Sequence, residues 1–86
     1  MNKTVAFAYH NIGFLGLNKL LKHNFDVKLV ITHLDNNKEN IWFKSVAKLC
    51  KKKGIKLVYF ENSNFDTIEK KIRRIAPDYI FSFYFA

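Results

Sequence analysis

Two segments near opposite ends of this 86-residue chain are almost continuously apolar. They are residues 5–9 (VAFAY) and 79–85 (YIFSFYF). A strand with one face in water alternates apolar and polar residues, whereas a strand covered on both faces is apolar along its length. Both segments therefore predict strands of a sheet that has helices on its two faces.

Between these segments, strand patterns alternate with helix patterns. Further strands are predicted over 27–32 and 55–60, and a first helix over 13–22. A second helix is predicted from an Asn40 cap to Gly54, with Trp42 in its apolar stripe. A third is predicted from a Ser63 or Asn64 cap to Pro77. Alternation of this kind is typical of parallel βαβ units.

The character of each strand predicts the order of the sheet. Strand three (55–60) is short and contains Lys56, which suits an edge, whereas strand one (5–9) suits the centre. With right-handed crossovers, the expected fold is α/β, an incomplete Rossmann-like three-layer sandwich with a parallel sheet of order 3-2-1-4. Strand four (79–85) would then be an unguarded apolar edge. We expect it to pair with a missing C-terminal portion or with a second copy of the chain.

Charge and composition indicate which binding partners and which cellular compartment the sequence favours. The net charge is +8, yet only two of the fifteen basic residues are Arg, and the runs at 51–53 and 70–74 fall where cations complement helix C-termini. Nucleic acid is therefore a disfavoured partner. The apolar runs are shorter than the ~20 residues of a membrane span, no secretory signal is present, and the single Cys50 cannot form an internal disulfide. We expect a cytoplasmic protein that does not associate with membranes.

In an open α/β sheet, ligands bind beyond the carboxyl ends of the strands, here between strands one and four. The loop after strand one contains neither G-x-G-x-x-G nor a P-loop. Its His10, Asn11 and Gly13 are the candidate substrate-binding residues, because helix one would aim free N–H groups at an anion there. Ordinary loop packing is the competing interpretation.

Other titratable residues carry weaker signals. His23 and His33 are too widely spaced from each other and from His10 to indicate a metal site. Cys50 lies on an apolar helix stripe, where a thiol is usually buried and inert. No metal ligand is assigned.

Short runs spread over the whole chain carry a family resemblance. They are VAFAYH at 5–10 with Gly13, Leu15-Gly16 and Leu20-Leu21, then Thr32-His33 with Asp35-Asn36, Ser45-Val46-Ala47 with Leu49, Gly54-Ile55, and PDYIFSFY at 77–84. Together they resemble the start of the 10-formyltetrahydrofolate-dependent formyltransferases. The likeness is greatest to the branch that acts on UDP-4-amino-4-deoxy-L-arabinose, found in bifunctional polymyxin-resistance proteins, and next to the methionyl-tRNA branch.

The resemblance implies that residues 1–86 are the N-terminal portion of a formyltransferase-like domain. Family members transfer a formyl group from 10-formyltetrahydrofolate to an amino group, here that of a UDP-amino sugar. The segment carrying Tyr84, Phe85 and Ala86 would lead into the folate contact, although near relatives usually have Arg where Ala86 stands.

The family's catalytic set is an Asn-x-His pair, a later Asp and a His-Gly-Ser-Leu-Leu-Pro-type loop. None of these occurs in the 86 residues, so no catalytic residue is assigned and 10-formyltetrahydrofolate is not expected to bind well to this chain alone. Whether the chain is an enzyme stays open. A small interaction module that pairs through strand four and a basic nucleic-acid-binding domain are the alternative functions.

Overall fold

The sheet of this computed structural model contains four parallel strands, and the structure describes residues 2–34 and 45–83. The strands are β1 (Lys3–Ala8), β2 (Asp26–Thr32), β3 (Leu57–Tyr59) and β4 (Tyr79–Phe83), and the helices are α1 (His10–Lys22), α2 (Val46–Lys53) and α3 (Phe65–Ile75). The strand order is β3-β2-β1-β4. The predicted α/β, Rossmann-like fold with order 3-2-1-4 is confirmed.

β1 lies at the centre and pairs with β2 on one side and β4 on the other. Val5 stands opposite Leu29 of β2 and Ile80 of β4. The first residue of β1 is also joined to the residue before β4: the Lys3 amide donates to the Asp78 carboxylate at 2.9 Å, and the Asp78 amide donates to the Lys3 carbonyl at 2.7 Å. This double contact fixes the amino ends of the two strands together.

The two faces of the sheet carry separate apolar clusters. One cluster joins β1 and β2 to α1 and α2 and contains Ala6, Ala8, Leu17, Leu20, Val30, Val46, Leu49 and Cys50. The other joins the sheet to α3 and contains Val5, Leu29, Ile31, Val58 and Ile68. Two helices on one face and one on the other make three layers, as right-handed crossovers predict.

Two helix starts differ from the sequence prediction. α1 begins at His10 rather than Gly13, because the Gly13 amide donates to the Tyr9 carbonyl at 3.0 Å and closes a first turn in which Ile12 is the single apolar residue before Gly13. α2 begins at Val46, where the Ser45 hydroxyl caps it by accepting from the Lys48 amide at 3.2 Å. The predicted cap Asn40 and the predicted stripe residue Trp42 lie outside the described residues.

The other boundaries follow local chemistry. The Asn64 side chain caps α3 by accepting from the Thr67 amide at 2.8 Å, as one of the two predicted caps. Gly54 ends α2 with φ of 70°, a left-handed conformation that glycine adopts without strain. β3 is shorter than predicted because the chain enters a 3₁₀ turn at Phe60–Asn62.

β4 forms one edge of the described sheet, and apolar surface lies on both of its sides. Tyr79 is 46% exposed and Ile80 is 56% exposed. A groove of about 410 Å³ separates Ile80 from α3, and another of about 360 Å³ lies between α1 and the rings of Phe81 and Phe83. We call β4 with these two grooves the β4 edge. In the described part of the chain, no helix has the length and apolar character needed to cross a membrane.

Candidate functional site at the carboxyl ends of the strands

All four strands are parallel, so their carboxyl ends meet along one side of the sheet, which we call the rim. β1 leads into Tyr9 and His10, β2 leads into His33, and β3 leads into the turn that contains Glu61. Residues that are distant in sequence therefore approach one another here, as they do in the ligand crevices of open α/β sheets.

The junction between β1 and β4 contains the predicted substrate-binding segment. Ala8 stands opposite Phe83, and the Tyr9 amide donates to the Phe83 carbonyl at 3.3 Å. The segment that carries His10, Asn11 and Gly13 therefore begins beside the last described residue of β4. The predicted folate contacts Tyr84, Phe85 and Ala86 lie outside the described residues, and that assignment stays a prediction.

His10 starts α1 in an uncommon backbone conformation. Its φ of 66° lies in the left-handed region, which a non-glycine residue adopts at a cost of roughly 1–3 kcal/mol. The His10 ring is partly exposed and stands edge-on to the Tyr9 ring, with centroids 6.1 Å apart. Asn11 follows it with an exposed side chain. Both residues lie at the rim, and their binding of substrate stays a prediction.

Gly13 is buried, and close packing accounts for the glycine. A Cβ atom at this position would lie 2.9 Å from the backbone carbonyl carbon of Ala8. The first turn of α1 thus approaches the end of β1 more closely than a side chain permits. This is the role of a glycine that brings a helix against its preceding strand.

A histidine and a glutamate from neighbouring strands form the polar centre of the rim. The His33 Nδ1–H group donates to Oε2 of Glu61 at 2.7 Å, and the Leu34 amide donates to Oε1 of the same carboxylate at 3.0 Å. The His33 side chain is 19% exposed and the Glu61 side chain is 42% exposed. One carboxylate therefore holds both the imidazole and the backbone that follows β2.

Aromatic rings fix the His33 imidazole on two sides. The Tyr9 ring meets it edge-on with a centroid distance of 5.3 Å, and the Phe60 ring meets it edge-on at 5.8 Å. The Tyr9 hydroxyl also reaches the Leu34 carbonyl at 3.5 Å. Edge-on contacts of this kind are favourable, and they leave the ring little rotational freedom.

The environment of Glu61 keeps its carboxylate charged. Burial raises the pKa of Glu61, but the hydrogen bonds from the Leu34 amide and the His33 ring lower it by more, so the pKa lies below its ordinary value. The ionised Glu61 can orient the imidazole through this hydrogen bond. Such a pair can donate to a phosphate or a hydroxyl group that enters the rim.

The sequence prediction missed Glu61 and treated His33 as ordinary. A usable signal was present, because each residue directly follows a predicted strand and carboxyl ends of parallel strands meet at one edge. The pair was hidden by the separation of 28 positions between its members and by the 3₁₀ turn that contains Glu61.

The remaining candidates lie away from the rim or in the core. Cys50 is fully buried in α2, and burial raises the pKa of its thiol to about 12, which agrees with the prediction of an inert cysteine. Among residues 2–34 and 45–83, no three His, Cys, Asp or Glu side chains group as a metal site would require. The rim combines the hydrogen-bonded groups of Tyr9, His33 and Glu61 with the ring of His10. No family model matches the chain.

Proposed function

We propose that this chain provides the N-terminal scaffold of a 10-formyltetrahydrofolate-dependent formyltransferase whose acceptor is the amino group of a UDP-amino sugar. The proposal rests on the resemblance of residues 5–10 and 77–84 to that family. One contact supports it: the Tyr9 amide donates to the Phe83 carbonyl at 3.3 Å, so two of the segments that carry the resemblance lie side by side. A cofactor and a substrate that meet at the switch point would meet beside this contact.

The chemistry of formyl transfer defines what the chain lacks. An amine attacks the formyl carbon, a general base removes the amine proton, and hydrogen-bond donors stabilise the oxyanion. The Asn-x-His pair that does this in the family does not occur in the 86 residues. We therefore propose that the chain is inactive by itself and that another polypeptide segment supplies the pair.

The β4 edge supports pairing with such a segment. Ile80 and Tyr79 expose apolar surface on opposite faces of a strand that contains no charged residue. Burying apolar surface stabilises an association by about 25 cal/mol per Å². A further strand beside β4, with a helix over the groove next to Ile80, would cover it.

The test is reconstitution in trans. A polypeptide that begins at the strand after β4 in a UDP-amino-sugar formyltransferase and carries the Asn-x-His pair is mixed with this chain, and formyl transfer from 10-formyltetrahydrofolate is measured. The expected result is no transfer by either part alone and transfer by the mixture. Ile80→Lys should abolish the activity of the mixture, whereas Leu15→Lys, which changes an exposed residue of α1, should leave it unchanged.

A second function, an interaction module that pairs through β4, is favoured by the same exposed edge. The reconstitution experiment separates the two. A stable complex that depends on Ile80 but transfers no formyl group would contradict the enzyme proposal and support the interaction module. Absence of both complex and transfer would contradict both functions.

A further inference from the structure

A pocket at the end of the sheet opposite the rim is lined by four cationic residues. The pocket has a volume of about 190 Å³ and is lined by Lys28, Lys56, Lys71 and Arg74, with Leu29 and Ile75 as its apolar floor. We call it the basic pocket. We propose that it binds a compact phosphate-bearing anion, such as the diphosphate of a nucleotide or free pyrophosphate.

The fold gathers these residues from three elements. Lys28 lies in the first half of β2, and Lys56 directly precedes β3, where its carbonyl accepts from the Val30 amide at 3.0 Å. Lys71 and Arg74 are three residues apart on α3, so they share one face of that helix. α3 runs antiparallel to the strands and brings its last turn over the amino ends of β2 and β3.

The charge at the pocket is larger than local structure requires. Cations in the last turn of α3 complement the helix dipole, which accounts for Arg74 and its neighbours. The dipole does not account for Lys28 and Lys56, which belong to the sheet. Both residues add positive charge to the lining of the same pocket, and like charges near one another repel.

Ion pairs in the described part of the chain neutralise little of this charge. Lys28 Nζ lies 3.0 Å from the Asp26 carboxylate, and both side chains are about half exposed. Among residues 2–34 and 45–83, no carboxylate lies within ion-pair distance of Lys56, Lys71 or Arg74. Three cationic residues with no ion-pair partner among the described residues therefore line one concave surface, and such a cleft attracts a multivalent anion.

The shape of the pocket favours a compact anion over a nucleic acid. Its volume equals that of roughly six water molecules, which is enough for one or two phosphate groups. The Arg74 guanidinium can bind phosphate oxygens in pairs, and the lysines add point charges. The run Lys51 to Lys53 lies on α2, which packs on the other face of the sheet. The basic pocket and this run therefore do not form one continuous basic surface.

This site is separate from the proposed formyl-transfer function, because it lies at the amino ends of the strands. The test is titration calorimetry of the intact chain at low salt with pyrophosphate, ADP, adenosine and a 20-nucleotide single-stranded RNA. We expect pyrophosphate and ADP to bind with one-to-one stoichiometry and adenosine not to bind. If ADP binds more tightly than pyrophosphate, the ligand is a nucleotide, and the reverse order assigns the site to the free anion.

Matched variants assign the binding to the pocket. Lys56→Gln combined with Lys71→Gln should weaken pyrophosphate binding by about tenfold or more, as loss of about 1.4 kcal/mol would. Lys51→Gln combined with Lys52→Gln removes the same net charge from α2 and should change binding by less than about twofold, a change that costs less than about 0.5 kcal/mol. Circular dichroism verifies that both double variants fold, and Lys56→Arg with Lys71→Arg should retain binding.

Several results would overturn the proposal. Absence of pyrophosphate and ADP binding would do so, and so would equal weakening by the two Gln pairs. RNA binding that is tighter than pyrophosphate binding and is weakened equally by both pairs would instead identify a diffuse basic surface for nucleic acid.

Discussion

Gly16 of α1 lies directly against the ring of Phe83 in β4. A Cβ atom added at Gly16 would meet Cγ and Cδ1 of that ring at 2.6 Å, closer than atoms approach in folded proteins. This glycine therefore sets how closely α1 covers the side of β4 that faces it. The contact packs a helix near the N-terminus of the chain against the last described strand.

Gly16→Ala tests this contact. In an unconstrained helix the change would stabilise by about 1 kcal/mol, since alanine favours the helix. Here the clash with Phe83 should dominate and lower the free energy of unfolding by about 1–3 kcal/mol, as overpacking does. Urea denaturation measures the change.

Phe83→Leu serves as the partner variant, because it removes the ring that the new methyl group would meet. The double variant should lose less stability than the sum of the two single variants. Additive losses would show that the Gly16–Phe83 contact is not the cause.

Glu61 should give the stability of the chain a pH dependence at acidic pH. Its pKa lies below the ordinary value of 4.5 in the folded chain, so the unfolded chain binds its proton first as the pH falls. The stabilisation from Glu61 is present above the unfolded pKa and is lost as the pH falls through the folded pKa. The difference in unfolding free energy between the wild type and Glu61→Gln should therefore be largest near neutral pH and shrink below pH 4.5.

Denaturation curves of both proteins at a series of pH values measure this difference. His33→Ala removes the ring donor but keeps the Leu34 amide, and it should show a smaller effect of the same sign. A wild-type-to-variant difference that stays constant from neutral to acidic pH would contradict the assignment.

Thr32 at the end of β2 carries a buried hydroxyl that the fold does not use. The residue is 1% exposed, and its Oγ1 atom has no hydrogen-bond partner among the described residues. Valine has nearly the same shape and no polar atom, so Thr32→Val should raise the free energy of unfolding by about 1 kcal/mol. Thermal denaturation measures the gain.

Thr4→Val is the matched control for Thr32. Thr4 is also fully buried in a strand, but its Oγ1 donates to the Asn2 carbonyl at 2.8 Å. That variant should lose about 1 kcal/mol instead. Changes of equal sign in the two variants would show that hydrogen bonding does not decide the outcome.

The β4 edge should make the isolated chain self-associate at micromolar concentration. Ile80→Lys places a charge on the exposed strand, and charged edge positions oppose strand pairing. We expect sedimentation velocity to show a shift towards monomer for Ile80→Lys and no shift for Leu15→Lys, which alters a residue that is 65% exposed on α1. A monomeric wild-type chain would contradict the prediction.

The sequence predicted the elements whose signal is local or periodic. The apolar runs of β1 and β4, the Lys56 signal of an edge strand and the right-handed crossover rule were sufficient to predict the strand order and the two covered faces. The start of α2 was predicted at an Asn40 cap, whereas Ser45 caps the helix in the structure, because Asn and Ser are both preferred capping residues and their presence alone does not locate a helix start.

The rim was harder to predict because its contacts are not periodic. The His33–Glu61 pair depends on the register of β2 against β3 and on the direction of one 3₁₀ turn. The left-handed conformation of His10 depends on how α1 leaves β1. The position of His33 and Glu61 directly after predicted strands indicates that both lie at the rim, but only tertiary geometry decides that they pair and how His10 is oriented.

The contact between Lys3 and Asp78 spans 75 residues of sequence. β1 emerges first in synthesis, yet one of its two partner strands emerges only after both β2 and β3. Closing so long a loop costs entropy before any pairing compensates, and contacts of high sequence separation slow folding. We expect β4 to join the sheet last and to be released first in local opening, so amide hydrogens of Tyr79–Phe83 should exchange faster than those of β2.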